Sequence, residues 1–411
     1  MGEREKIVLF HKKEQCCGCG ACMNICPKQA ISMEEDEYGF IYPHIDYEKC
    51  VSCGACKRVC AYQNADEKNE PIFSYAAVNE NSSQKIMSAS GGLFAALATK
   101  VINDGGVVFG CTLEFIDSKA VIHHVAIEKI DDLPRLQGSK YVQSSTEFSF
   151  KETLKYLSEN RTVLYSGTPC QIAGLKGFLG KDYSNLILVD LICHGVPNAR
   201  FFNDYLEVVR KKRKYREIVN YSFRDKKKGW GMNCRIDAID ENGEKKSLYI
   251  PARLASYNTF FLDGDIYRKN CYSCKYACDH RAGDITIGDY WGISNEHPEI
   301  VDKKGFEEKE GISCMIISTE KGKDFIDSAG LKIDKIGTEY HKIAKYNKQL
   351  NQPYSLSPKR DSILSMYEKK NYDEVEMYFK KAYRKQRIIH YIFNKLPRSF
   401  RKIIKKMKMA N

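Results

Sequence analysis

Cys16-Cys-Gly-Cys-Gly-Ala-Cys-Met-Asn-Ile-Cys-Pro27 and Cys50-Val-Ser-Cys-Gly-Ala-Cys-Lys-Arg-Val-Cys60 decide how the first part of this chain folds. Each stretch spaces four cysteines as C-x2-C-x2-C-x3-C. Three thiolates in one short loop cap three corners of an iron–sulfur cubane, and the fourth, lying beyond the loop, completes the other cubane. The spacing predicts two 4Fe–4S clusters with crossed ligands. Cys16, Cys19, Cys22 and Cys60 hold one; Cys50, Cys53, Cys56 and Cys26 hold the second. Zinc is the competing reading, but zinc sites typically join two C-x2-C pairs set apart. Gly18, Gly20 and Gly54 suit the tight turns. Cys17 is an additional thiol, read as a bystander.

The segment resembles bacterial two-cluster ferredoxins. It departs from them in carrying Ala61 where a second proline is usual and in the 23 residues between Cys26 and Cys50. Ile31, Met33 and then Phe40-Ile-Tyr42 in that insert predict a hairpin.

With 411 residues, 43% hydrophobic and 11% aromatic, the chain supports several domains around buried cores. The formal charge of +12 is uneven: residues 380–411 hold 12 Lys or Arg and no acidic residue, which leaves residues 1–379 neutral. A neutral body argues against a nucleic-acid partner. No segment has the apolar length of a membrane span, and Met-Gly-Glu-Arg-Glu-Lys lacks a signal core. The expected location is the cytoplasm, where 17 cysteines read as metal ligands or reactive thiols rather than disulfides.

A polar stretch over 62–71 predicts a linker. Beyond it strands and helices alternate: strands over 74–78, 106–113, 162–165 and 186–192, helices over 91–103, 147–158 and 171–179. This is an α/β pattern. Ser88-Ala-Ser-Gly-Gly92 opens a helix and reads either as a phosphate cradle or as a plain Ser N-cap. Gly138-Ser-Lys-Tyr141 follows a turn, and Lys140 is either a counter-charge to a bound anion or a solvated lysine. In Ser166-Gly-Thr-Pro-Cys170, Thr168 and Pro169 suit the N-cap and first position of a helix. Cys170 then sits at the positive helix end, as a nucleophile or a metal ligand. The Gly-Thr-Pro-Cys-Gln run also looks like the nucleophile loop of cytosine-5 DNA methyltransferases, a reading discounted for want of a glycine-rich methyl-donor motif and of a basic body. Cys193-His-Gly-Val-Pro197 ends the next strand, and Cys271-Tyr-Ser-Cys274 follows. Cys170, Cys193, Cys271 and Cys274 predict a third cluster, with His194 and Cys278 as alternative ligands; scattered buried thiols are the competing reading. Cys111, Cys234 and Cys314 read as structural. Asp284-Ile-Thr-Ile-Gly-Asp-Tyr-Trp-Gly292 predicts a buried strand with Asp289 at its end, orienting the site or closing a turn.

Together these motifs resemble the coenzyme F420 hydrogenase/dehydrogenase beta-subunit family, over about residues 10–345. The family includes the plant 7-hydroxymethyl chlorophyll a reductase. The resemblance implies an α+β protein: a two-cluster ferredoxin-like module over 1–66, a larger mixed α/β flavin-binding domain with its own cluster over 67–345, and a linker and basic helical tail over 346–411. It implies FAD near Ser90, Gly91, Gly92, Ser139 and Lys140, with Lys140 and Asp289 as the catalytic candidates. Electrons would pass between a low-potential one-electron partner such as a ferredoxin, the clusters and FAD. Hydride would pass to an organic substrate, small or sugar- or lipid-linked, or to a deazaflavin-like carrier. Two other readings remain: a non-catalytic electron-transfer subunit feeding a separate enzyme, and a thiol enzyme using Cys170.

From Tyr383 the tail is basic, with Ile388, Ile389, Ile392, Phe393 and Leu396 at helical spacing. Beyond Pro397 the spacing resumes with Phe400, Ile403, Ile404 and Met407. Such a segment can lie on the anionic inner face of a membrane, or dock on the body.

Overall fold

The structure, a computed structural model, describes residues 6–64, 69–303 and 305–396. The expected hairpin is present: β1 (Ile31–Glu35) pairs antiparallel with β2 (Ile41–Ile45), Ile31 opposite Ile45. The Asp36 carboxylate turns the chain between them by accepting from the N–H groups of Tyr38 and Phe40. Ile31 and Ile45 bury against Leu9 and Cys56, and the cysteine-bearing helices Ala21–Ile25 and Ala55–Arg58 close this small module.

The main domain is wound around β3 (Phe73–Asn79), β4 (Val107–Ile116), β5 (Lys119–Ile127), β6 (Val163–Gly167) and β7 (Leu186–Leu191). An excursion follows, with the helix Ala199–Arg213 and the antiparallel strands β8 (Tyr215–Ser222), β9 (Asn233–Asp240) and β10 (Lys245–Pro251). The chain then returns as β11 (Ile285–Asp289), β12 (Ser313–Ile317) and β13 (Ile333–Thr338). Eight of these form one sheet, in the order β13-β3-β12-β11-β7-β6-β4-β5. The inner strands β4, β6, β7 and β11 are parallel. Alternation explains why they read as unbroken apolar runs. Val163 and Tyr165 face the helices Ser149–Ser158 and Pro169–Leu179 through Phe150, Ile172 and Leu175. Leu164 faces the opposite layer, under the helix Leu93–Asn103. Both sides of a parallel sheet are covered, so neither is polar.

The excursion makes a second core of aromatic residues, in which Phe202 meets Tyr221 edge to face at 5.0 Å. The helices Arg360–Lys370 and Tyr372–Ala382 complete it with Ile363, Leu364, Tyr367, Val375 and Phe379. Residues 360–382, expected as part of a linker and tail, are therefore core. The apolar face begins at Ile363, well ahead of the basic run that starts at Lys380. The helix Arg384–Lys395 does form, and Ile388, Ile389, Tyr391 and Ile392 are exposed on it. Residues 397–411, with Phe400, Ile403, Ile404 and Met407, lie outside the described residues.

The cysteine-rich module is pressed onto the helix Pro169–Leu179 at two glycines. A Cβ on Gly174 would stand 2.7 Å from Cys19 Sγ, and one on Gly177 would collide with the Val59 carbonyl oxygen. Gly177→Ala is expected to cost about 1–3 kcal/mol by overpacking. Gly337→Ala, with nothing near its Cβ, should stay within about 0.5 kcal/mol. Denaturation midpoints of the two variants check this.

Candidate redox centre and cofactor cavity

One small cavity is lined by Cys16, Cys19 and Cys22 from the first run and Cys60 from the second, with Cys17 and Cys56 also at its wall. Cys26, Cys50, Cys53 and Cys56 line another. The crossed grouping follows from the two short helices, each of which carries its last cysteine away from its own loop. N–H groups are aimed at the sulfurs: Ala30 N donates to Cys26 Sγ at 3.3 Å and Gln63 Nε2 to Cys60 Sγ at 3.7 Å. Such donors support thiolate ligands. Among the described residues no three His, Cys, Asp or Glu side chains converge tightly enough for a single metal ion.

A third sulfur-lined cavity lies in the main domain, walled by Cys170, Cys193, Cys271 and Cys274, with His194 beside them. Thr168 and Gln171 form a capping box that starts the helix Pro169–Leu179 and fixes Cys170 in its first turn. A hydrogen bond from Cys17, with help from Thr168 at 3.2 Å, holds the Cys170 thiol down to about 7 against the cost of burial. Burial pushes Cys193 up to about 12 and Cys274 up to about 11. Those two thiols stay protonated unless a metal cation takes the proton's place. The segment carrying Cys271 and Cys274 is tied down by Asp190, which is fully buried. Its Oδ1 accepts from Arg281 Nη2 at 2.9 Å and Thr286 Oγ1 at 2.6 Å, and its Oδ2 from the N–H groups of Ala282 and Gly283. Cys278 is not brought to this cavity; its thiol donates to the carbonyls of Lys275 and His280.

Beyond the third site, at the C-terminal ends of β6, β7 and β11, opens a cavity of about 490 Å³. Crevices at this edge of a parallel sheet are where such folds bind cofactors, and the volume is that of an ordinary ligand site. Ser90, Gly92, Ser139 and Lys140 line it. Gly91 does not: a Cβ there would strike Ala77 O and Ser313 N, so its role is to let the loop pack on β3 and β12. Ser88 is not the N-cap of the helix that follows; Gly92 is. Lys140 is half-buried and gives its ammonium to the carbonyls of Arg135, Leu136 and Gln137, so it reaches the cavity as charge rather than as a free donor. Burial lowers it to about 8.

Asp289 is fully engaged. Its carboxylate takes both arms of Arg224, at 2.8 and 3.1 Å, and the Trp230 indole N–H at 2.8 Å. Trp230 stacks on Trp291 at 4.6 Å. Sequence reasoning missed Arg224 and Trp230, although the chain has two tryptophans in all. It also missed His124, which lines the cavity. Burial lowers His124 to about 4, so it is neutral. Its Nε2 faces the Ser166 carbonyl at 3.1 Å, and its buried Nδ1 has no partner among the described residues. Cys111, read as structural, borders the same cavity.

The cavities adjoin one another. Cys56 borders the outer and inner module cavities, Cys17 borders the inner, third and large ones, and Cys170 and Cys193 separate the third from the large one. Cys17 is thus a wall shared by three cavities.

Residues 160–339 match the family model that describes the C terminus of the coenzyme F420 hydrogenase/dehydrogenase beta subunit, and residues 15–64 match the 4Fe-4S dicluster domain. The two matches together make this chain an iron–sulfur protein of the electron-transfer, oxidoreductase type, related to the F420 hydrogenase beta subunit. All eight module cysteines fall in the dicluster match, and Cys170, Cys193, Cys271 and Cys274 all fall in the beta-subunit domain. Among solved structures, a chain of the xenon-derivatised F420-reducing NiFe hydrogenase complex from Methanosarcina barkeri is similar at 14% identity, over 75% of this chain and 91% of that one, with a TM-score of 0.41. No curated protein matches the chain significantly. Among the described residues no helix is long and apolar enough to cross a membrane.

Proposed function

We propose that this protein is an iron–sulfur flavoprotein oxidoreductase, with three 4Fe–4S clusters in the sulfur-lined cavities and FAD in the large one. The observation that carries the reading is the unbroken series of cavities joined by shared cysteines, from Cys53 at the surface to the buried large cavity. Bound there, the clusters exchange single electrons and FAD exchanges a hydride. The chain's own residues fit such a cofactor. The N-terminus of the helix Leu93–Asn103, which has no side-chain cap, opens on the cavity, where unpaired N–H groups favour an anion such as a pyrophosphate. Lys140 adds positive charge, and Asp289 positions Arg224 at the cavity wall beside Trp291. The partners are a low-potential one-electron protein such as a ferredoxin, and a small or sugar- or lipid-linked organic substrate. The exposed isoleucines and the arginines and lysines of the helix Arg384–Lys395 suit contact with an anionic membrane face.

Iron, sulfide and flavin quantitation on anaerobically purified protein tests the reading. About twelve irons and one FAD per chain are expected; about eight irons and no flavin would leave a ferredoxin-type carrier. Lys140 gives a pH signature. Its charge is present below about 8 and lost above. FAD retention is therefore expected to weaken as pH rises from 7 to 9, and Lys140→Met should flatten that dependence. Flavin fluorescence on release reads both.

A further inference from the structure

Three buried arginines stand around the proposed centres, and two of them have carboxylates. Arg281 is paired with Asp190 and Arg224 with Asp289. The third, Arg268, has none among the described residues. Its side chain has no solvent exposure. Nε donates to Cys16 O at 3.0 Å, Nη1 to Ile41 O at 2.6 Å and to Gln143 Oε1 at 3.3 Å, and Nη2 lies 3.7 Å from Cys16 Sγ. The guanidinium also stacks 3.9 Å from the centre of the Tyr42 ring. Every oxygen it meets is a neutral carbonyl or amide. The ionisable groups acting on it most strongly are Cys16, Tyr42, Cys17 and Cys271.

A guanidinium cannot shed its proton, and an isolated buried charge is too costly to keep without a counter-charge. The negative charge that Arg268 lacks in the protein must be brought by what Cys16 binds. We propose that Arg268 is the counter-ion of the cluster held by Cys16, Cys19, Cys22 and Cys60, and that it raises that cluster's reduction potential above that of the surface cluster held by Cys26, Cys50, Cys53 and Cys56. This rests on the cluster assignment above. A cubane with four thiolates is an anion, and taking up one electron makes it more negative, so a buried cation at its ligand favours the reduced form. The consequence is directional. An electron entering at the surface cluster, where Cys53 is exposed, runs downhill toward the inner one. Cys271, three residues on, places the same charge near the third site.

The test is potentiometry with EPR detection on iron-replete holoprotein, with iron content measured on the same samples. Arg268→Gln removes the charge. It is expected to shift the inner cluster's electron affinity by at least about tenfold, a drop of 59 mV for one electron, and to leave the surface cluster in place. Arg268→Lys, which keeps the charge, should restore most of the shift. Because Arg268→Gln also loses bonds to the module and can fail to fold, Gln143→Glu provides a second route. It keeps the shape and gives Arg268 a protein carboxylate, so the inner potential should again fall. Full iron with an unchanged inner potential in either charge-altering variant would overturn the proposal, as would equal shifts at both module clusters. Iron content well below eight in the parent protein would instead refute the cluster assignment, which keeps the two failures apart.

Discussion

Cys60→Ala is expected to remove the inner cluster and spare the surface one. Cys60 belongs by sequence to the second cysteine run, yet it lines the cavity of the first with Cys16, Cys19 and Cys22. Iron content should fall from about twelve to about eight per chain, with the surface cluster's EPR signal retained. Cys26→Ala should do the reverse, removing the cluster of the second run. The inner cavity is the step between the surface cavity and those of the main domain. Reduction of bound flavin by a one-electron donor should therefore slow in Cys60→Ala by more than the roughly 10–100-fold that loss of an outer-shell partner costs. Loss of the surface cluster in Cys60→Ala would mean that each run closes on itself.

Asp190→Ala is expected to be the most destabilising single substitution near the site. It would leave Arg281 buried and unpaired, and free the N–H groups of Ala282 and Gly283 and the Thr286 hydroxyl. Breaking a buried pair from one side costs about 3–5 kcal/mol. The segment from Cys271 to Asp284 loses its anchor, so the four irons of the third site should go with it. Replacing both partners, Asp190→Leu with Arg281→Met, should recover much of the stability, since no buried charge is then orphaned. Urea denaturation of the apoprotein and iron content of the holoprotein separate the two effects.

The cysteine runs were legible because a cubane dictates its ligand spacing locally. The alternating β6 and β7 runs and the Thr168-Pro169 helix start were equally plain, since apolar periodicity and cap chemistry are local signals. What stayed hidden is long-range. Arg224 and Asp289 are 65 residues apart, and Arg268 meets Cys16 across 252; neither separation leaves a trace in a window of sequence. Gly174 and Gly177 looked like poor helix residues until the module was seen against them. Lys140 was read for its charge, but its three hydrogen bonds go to the turn just before it, a geometry set by the short helix Leu133–Leu136. The helices over 360–382 were masked by the charged residues, acidic and basic, that separate their apolar positions.

An anaerobic reductive titration tests the relay most directly. Holoprotein is titrated with dithionite while cluster and flavin absorbance are followed together. Three cubanes and one flavin take up about five electrons per chain, one for each cluster and two for FAD, and the flavin band bleaches without any added carrier. Uptake of about two electrons, with no flavin band to bleach, would contradict the account and leave a two-cluster electron carrier.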